Sequence, residues 1–280
     1  MNYQQMHNLM KAWHNIRYLD GLPDRITLSE KTKSIFIEVL NDNINYNNSN
    51  DAISQEDKLG DRMMDGYSVS KLPRISEAEK YIPILYSKIF NDMMQENYFS
   101  PAYYAYNIIQ DCMNYDNIVC DKNMVEGIVY RGLRTLASLM REQDLKMQLH
   151  ESLPDAIIEI NPKLDVADHT DLRLDYSGIR YNIWSYQTTS KALNNGAEKL
   201  MGNRGFIPNG VHVLCPFDSS NKREFYGWYF YTCENVNQIV KMVKEYDRDK
   251  EADDYNKIIL NNRITDIIKY MKNMHIFVKE

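Results

Sequence analysis

The sequence is short of the residues that would assign it to a class at once. It has only 4 cysteines and 11 glycines among 280 residues. No two cysteines form a Cys-x-x-Cys pair, which argues against a zinc site, and we expect free, buried thiols in a reducing cytosol. No apolar run approaches the roughly 20 residues of a membrane-spanning helix, and the amino terminus lacks a signal-peptide core. These absences predict a cytoplasmic protein without a membrane partner.

Positive charge is not in excess either. Lysine and arginine number 33 against 39 aspartate and glutamate, which gives a net charge of −6. A basic domain is the usual mark of a nucleic-acid-binding protein, but a basic groove can lie on an acidic protein. The charge balance therefore does not exclude DNA as a partner.

The first part of the chain has the apolar spacing of helices. Met6, Met10 and Trp13 fall on one helical face, and a second helix is expected before residue 41. A polar stretch over residues 47–73 predicts a long loop, and the longest candidate helix runs from about 122 to 150. We predict a helical amino-terminal region over residues 1–118.

After residue 150 the sequence pattern changes to short segments in which apolar and polar residues alternate. Two of these segments flank Ser177-Gly178, which is a turn signal, and predict a β-hairpin. The predicted strands are 156–160, 169–175, 181–188, 211–215 and 225–231, and the predicted helices are 190–201, 234–246 and 255–274. A helix between strands predicts an α/β domain over residues 119–280, with a mixed central sheet flanked by helices.

One group of polar residues in this domain has the pattern of a metal-dependent phosphodiester hydrolase. Asp171 opens the first hairpin strand, whereas Ser185 and Gln187 lie two residues apart on the second strand and share a face. Glu126 on the preceding long helix is a fourth candidate. Divalent-metal hydrolysis needs hard oxygen ligands close together and profits from an amide or amine beside the attacking water.

The order of these elements resembles the PD-(D/E)XK nuclease superfamily. The matching text is the helix with Glu126, the hairpin HTDLRLDYSGIRYNIWSYQ, the helix SKALNNGAEKLMG and the strand GVHVLCP. The resemblance implies a restriction-endonuclease-like fold and a metal-dependent nuclease acting on DNA phosphodiester bonds. In that interpretation Asp171 and Glu126 bind Mg²⁺, and Gln187 orients the water.

The sequence departs from the family pattern at two positions. Ser185 stands where the pattern has an acidic residue, and Gln187 stands where it has lysine. A neutral hydroxyl is a weak ligand for a divalent ion. Another polar residue nearby could replace the missing acidic ligand; the candidates are Asp168, Asp175, Lys191 and Glu198. His169 is a candidate ligand or base.

Two other functions remain open from the sequence. The first is a catalytically degenerate nuclease-fold protein that acts as a binding or regulatory module, which Ser185 favours. The second is a nucleotide-modifying transferase that uses Arg131, although Arg131-Gly132 lies in a helical pattern rather than after a strand. The oligomeric state is left open, with a homodimer as one expectation.

Overall fold

A computed structural model gives the fold of the chain. The described residues are 3–14, 122–161, 168, 170–201, 208–218, 220–225, 228–246 and 263–279, with a few single positions between them. The predicted loop over 47–73 lies outside them. Residue contacts divide the chain into two units, residues 1–139 with 225–228 and residues 140–224 with 229–280.

The first unit contains helix α1 (Tyr3–His14), which the spacing of its apolar residues predicted. Met6 on this helix is buried, with 4% of its surface exposed. The long helix α2 (Lys122–Ser152) was also predicted, and residue 140 on it is where the second unit begins. Within the described residues, no helix has the length and apolarity to cross a bilayer.

The second unit is organised around a five-stranded sheet. The strands in chain order are β1 (Ile157–Glu159), β2 (Leu172–Tyr176), β3 (Ile179–Gln187), β4 (Gly210–Phe217), β5 (Arg223–Phe225), β6 (Trp228–Phe230) and β7 (His275–Lys279). The main sheet has the order β1-β2-β3-β4-β7, and β5 pairs with β6 in a separate ribbon. Strands β3 and β4 are parallel, and the other neighbours in the main sheet are antiparallel. Helices flank this mixed sheet, so the predicted α/β class is confirmed.

The hairpin of β2 and β3 sets the register at the predicted site. Ser177 and Gly178 form its turn with φ angles of 50° and 77°, the left-handed backbone that a two-residue hairpin turn requires. Leu172 consequently pairs with Ile183. Asp171, which directly precedes β2, therefore lies at the level of the end of β3.

The two faces of the sheet have different helical neighbours. One face carries Trp184, Leu214 and Phe277, which pack against helices α3 (Ser190–Leu200) and α5 (Ile264–Met271). His212 is fully buried on this face and stacks on Phe277 with ring centroids 4.8 Å apart.

The opposite face carries the odd-numbered residues of β3, including Ser185. On this face the Tyr181 hydroxyl donates a hydrogen bond of 3.1 Å to the Val243 carbonyl of helix α4 (Cys233–Lys244). Val236, Ile239 and Val243 are the buried residues of α4, at the spacing of a single helical face.

The carboxyl end of the chain differs from the sequence prediction in several places. The segment 225–231 is not one strand, because its residues are divided between β5 and β6, which pair with each other. The helix predicted over 255–274 ends at Met271, and residues 255–262 lie outside the described part. His275–Lys279 forms β7 because pairing with β4 gives this short apolar run a place at the sheet edge.

Cys215 is free and buried as expected, but Cys233 is exposed at the start of α4.

The contact between α5 and the sheet can be tested with two isoleucines of one helix. Ile267 is fully buried, whereas Ile264 is 41% exposed. Ile267→Ala should lower the free energy of unfolding by about 2–5 kcal/mol because it removes buried methyl groups and leaves a cavity. Ile264→Ala should change it by about 0.5 kcal/mol. Urea unfolding of both variants measures the difference, and equal losses would contradict this packing.

Candidate functional site

The structure brings two of the predicted site residues into direct contact. The backbone N–H of Ser185 donates to the Asp171 carboxylate, with 2.6 Å between the amide nitrogen and Oδ2. The contact follows from the register, because Asp171 lies beside the end of β3 where the Ser185 amide is within reach. A hydrogen bond to a charged acceptor is among the stronger ones in proteins. Asp171 therefore ties the start of β2 to the end of β3.

The Ser185 side chain is held by a buried tyrosine. Its Oγ lies 2.8 Å from the Tyr231 hydroxyl, which donates to the Cys215 carbonyl at 2.9 Å. Because a tyrosine has a single hydroxyl hydrogen, Ser185 is the donor in the first of these bonds. Burial raises the pKa of Tyr231 far above its usual range, so the phenol keeps its proton near neutral pH. The serine hydroxyl is thus part of a chain of structural hydrogen bonds.

The structure gives fewer contacts for the other two predicted site residues, Gln187 and Glu126. Gln187 ends β3 on the same face as Ser185, is exposed, and pairs in register with Phe217 of β4. Glu126 lies in helix α2, in the first unit, and its side chain lies outside the described residues. Its predicted role as a metal ligand stays a prediction.

Helix α2 carries a run of buried polar residues that was not predicted from the sequence. Arg141, Glu142, Gln143 and Asp144 are consecutive and are all at most 7% exposed. A signal was present, because the neighbouring apolar residues are not confined to one helical face. These buried neighbours are Leu139, Met140, Leu145, Met147 and Leu149. Such a distribution indicates that this half of the helix is buried on all sides.

Arg141 contacts the same part of the sheet as Ser185 does. Its Nε donates a 3.4 Å hydrogen bond to the Tyr229 carbonyl, and its guanidinium carbon lies 4.1 Å from the centre of the Phe217 ring. Burial lowers the pKa of Arg141, and the charges of Glu142 and Asp171 are among the groups that oppose this effect. Arg141 therefore connects helix α2 to the Tyr229 carbonyl and the Phe217 ring.

One turn further along α2, a second buried polar group holds the segment after β6. Asp144 is fully buried, forms an ion pair with Arg223, and accepts a 2.7 Å hydrogen bond from Gln148. The same Gln148 amide nitrogen lies 3.4 Å from the Tyr231 carbonyl. Arg141 and Gln148 therefore both donate to backbone carbonyls of the short segment 229–231.

The residues considered as substitutes for the missing acid are engaged elsewhere or lie apart. Asp168 forms a 2.8 Å ion pair with Arg173, and Asp175 forms one of 2.9 Å with Arg180. Lys191 and Glu198 belong to α3, whose buried residues pack on the sheet face opposite Ser185. His169 lies outside the described residues.

Arg131 lies inside α2 rather than after a strand. The transferase interpretation needs an arginine that follows a strand, so the position of Arg131 gives it no support.

Comparison with protein-family models, with curated proteins and with solved structures found no match to this chain. Among the described residues, no group of three or more histidine, cysteine, aspartate or glutamate side chains could hold a metal ion.

Removing the Tyr231 hydroxyl tests the hydrogen-bond chain. Tyr231→Phe should lower the free energy of unfolding by about 1–3 kcal/mol, because the Ser185 hydroxyl and the Cys215 carbonyl lose a buried partner. Adding Ser185→Ala should cost little more, since one of these orphaned groups is then gone. Chemical unfolding of the two single variants and the double variant measures the coupling, and strictly additive losses would argue against the bond.

Two aspartates should respond to pH with opposite signs. Burial raises the pKa of Asp144, so the folded chain holds this proton more tightly, and its contribution to stability falls as pH rises above the unfolded value of about 3.9. The hydrogen bond from Arg180 lowers the pKa of Asp175, so the stability that Asp175 gives is present above that value and lost as pH falls.

Asp144→Asn and Asp175→Asn should therefore change the pH slope of the unfolding free energy in opposite directions. The measurement is urea unfolding of both variants and the parent chain between about pH 2 and pH 7, since the Asp175 effect appears mainly below the unfolded value and the Asp144 effect above it. Slopes that change in the same direction would contradict the environments described for the two carboxylates.

Proposed function

We propose that this chain is a restriction-endonuclease-like protein that binds DNA as a non-cleaving module. The observation that carries the proposal is the state of the site on β3. The position that the family pattern fills with an acid is occupied by Ser185, whose hydroxyl is hydrogen-bonded to buried Tyr231. The neighbouring Asp171 carboxylate accepts a backbone N–H of the same strand. Both groups hold the sheet together.

The topology supports the fold part of this proposal. Helix α2 is followed by strands β1, β2 and β3 in antiparallel order, then by α3 and by β4, which lies parallel to β3. This is the order of helix, strands, helix and strand on which the resemblance to the nuclease superfamily rests. The fold alone does not establish nuclease activity, because a protein can keep this fold without the catalytic residues.

The oxygen atoms of Asp171 and Ser185 are poorly suited to bind a magnesium ion. Magnesium requires near-octahedral oxygen ligands and is usually held by one or two carboxylates together with substrate phosphates. Here Oδ2 of Asp171 accepts the Ser185 amide, and the Ser185 hydroxyl donates to Tyr231. Glu126 stays the predicted second ligand.

The carboxyl ends of β3 and β4 offer groups suited to a DNA backbone. Ligands of open α/β sheets bind outside the carboxyl ends of parallel strands. Exposed Gln187 lies at that end of β3, and the segment after β4 leads to Lys222. The Lys222 ammonium lies 3.2 Å from the centre of the half-buried Tyr229 ring. Lysine and arginine contacts to phosphates supply most non-specific affinity for DNA.

The second candidate function is the metal-dependent endonuclease that the sequence resemblance implies. It requires Asp171 and Glu126 as magnesium ligands and Gln187 beside the attacking water. The arrangement of Asp171 and Gln187 at one end of β3 favours it, and the engagement of Ser185 disfavours it.

A pair of DNA assays distinguishes these functions. The purified chain should retard duplex DNA in EDTA as well as in magnesium, with an affinity that falls as salt is raised, and supercoiled plasmid should stay intact in magnesium or manganese. Lys222→Gln should weaken binding several-fold. Lys241→Gln, a matched change at the 71%-exposed Lys241 of α4, should leave it unchanged.

Two results would overturn the proposal. Plasmid cleavage that needs a divalent metal and is lost in Asp171→Asn would establish the nuclease instead. Absence of DNA retardation at low salt, by a chain shown to be folded from its circular dichroism spectrum, would remove the binding function.

A further inference from the structure

The sequence contains two Asn-Gly dipeptides, Asn195-Gly196 and Asn209-Gly210, and the fold places them in different backbone environments. Asn195 and Gly196 lie inside helix α3, whereas Gly210 is the first residue of β4 and Asn209 forms the bend before it. Both asparagines are exposed to solvent. The two positions therefore differ in backbone conformation and not in access to water.

Asparagine is one of the chemically labile residues of proteins because its side-chain amide can react with the main chain. The backbone nitrogen of the next residue forms a bond to the side-chain carbonyl carbon, the bond from that carbon to the amide nitrogen breaks, and ammonia leaves with the proton of the attacking nitrogen. Water then opens the resulting succinimide ring at either carbonyl. The product is an aspartate or an isoaspartate, and an isoaspartate makes the main chain one carbon longer.

Helix α3 keeps Asn195 from this reaction. In an α-helix the backbone N–H groups point along the axis and donate to carbonyls of the preceding turn, so the Gly196 nitrogen is engaged in the helix. Ring closure would require the helical backbone to rotate. Packing holds this turn in place as well, because a Cβ at Gly196 would lie 2.2 Å from the methyl carbon of Met271 in α5.

The backbone at Asn209 lies outside any helix or strand. Gly210, which follows it, has a φ of 131°, in the region that favours glycine. Because glycine has no side chain, the approach to its backbone nitrogen is open. Any other residue at position 210 would be strained, so the fold itself requires the neighbour that makes Asn209 reactive.

We propose that Asn209 is a site of spontaneous deamidation and that helix α3 protects Asn195 from the same reaction. Water is the only co-reactant. The inference goes beyond the proposed function and does not depend on DNA binding.

The reaction at Asn209 acts on contacts that lie on both sides of it. The Pro208 carbonyl oxygen lies 2.7 Å from Nε2 of His212, and this hydrogen bond spans the dipeptide. Gly210 pairs with Lys279 of β7. An isoaspartate adds a main-chain carbon between these contacts, so one of them must shift. Deamidation should therefore weaken the attachment of β7 to β4.

One tryptic digest of the unaltered chain compares the two asparagines. Cleavage after lysine and arginine places Asn195 in the peptide 192–199 and Asn209 in the peptide 205–222. After storage of the folded chain in warm, mildly alkaline buffer, the peptide 205–222 should gain the mass of an amide-to-acid conversion several-fold faster than the peptide 192–199. Fragment ions should place the change at Asn209 and not at Asn221.

Storage in urea is the matched control, because both dipeptides then have the same unfolded backbone and should convert at similar rates. Equal rates at the two asparagines in the folded chain, or a faster rate at Asn195, would overturn the inference.

Variants at position 209 test the effect on β7. Asn209→Gln should stop the conversion, since glutamine must close a larger ring, and should keep the urea midpoint of the fresh parent. Fresh Asn209→Asp has the new charge without the extra carbon, and at an exposed position it should change the midpoint little. The stored parent should fall below both variants as the converted fraction grows. A midpoint that stays constant while Asn209 converts would refute the weakening of β7.

Discussion

The second half of helix α2 buries charged and polar side chains on consecutive residues, and much of the second unit is arranged to compensate them. Arg141 and Gln148 donate to backbone carbonyls of the segment 229–231, and Asp144 is paired with Arg223. A buried polar group without a partner costs more than a hydrogen bond gains. The position of the segment 229–231 is therefore fixed, because its carbonyls accept hydrogen bonds from buried side chains of α2.

This constraint also determines the character of the candidate site. Tyr231 belongs to the segment that α2 fixes, and its hydroxyl bridges Ser185 of β3 to the Cys215 carbonyl of β4. The site is thus connected to the helix through Tyr231 and Phe217. A side chain that is enclosed in this way serves the fold well, but it has less freedom to rearrange around a metal or a reacting phosphate.

The parts of the fold that the sequence predicted are those that local chemistry determines. Ser177-Gly178 supplied the turn of the hairpin, and Thr189 supplies the cap at the start of α3 by accepting the Ala192 amide. Alternation then predicted β2 and β3 and placed Ser185 and Gln187 on one face. The contact of Asp171 with the Ser185 amide depends on the register of the hairpin, which the turn fixes.

The parts that the sequence did not predict depend on residues far apart in the chain. The short apolar run His275–Lys279 becomes a strand only because β4 offers it an edge. Arg141 and Asp144 look like ordinary helix surface residues until the partners at 217–231 are known. Their partners are Arg223, 79 residues from Asp144, and Tyr229, 88 residues from Arg141, and no local pattern reports such pairs.

The position of β7 has a consequence for synthesis of the chain. Strand β4 lies between β3 and β7 in the main sheet, and one of its two edges is covered by residues 275–279. Until a ribosome has released these residues, β4 has an open row of amide and carbonyl groups, which is the kind of edge on which partly folded chains associate. The nascent chain therefore passes through a stage in which most of its sheet can form while β4 still exposes an unprotected edge.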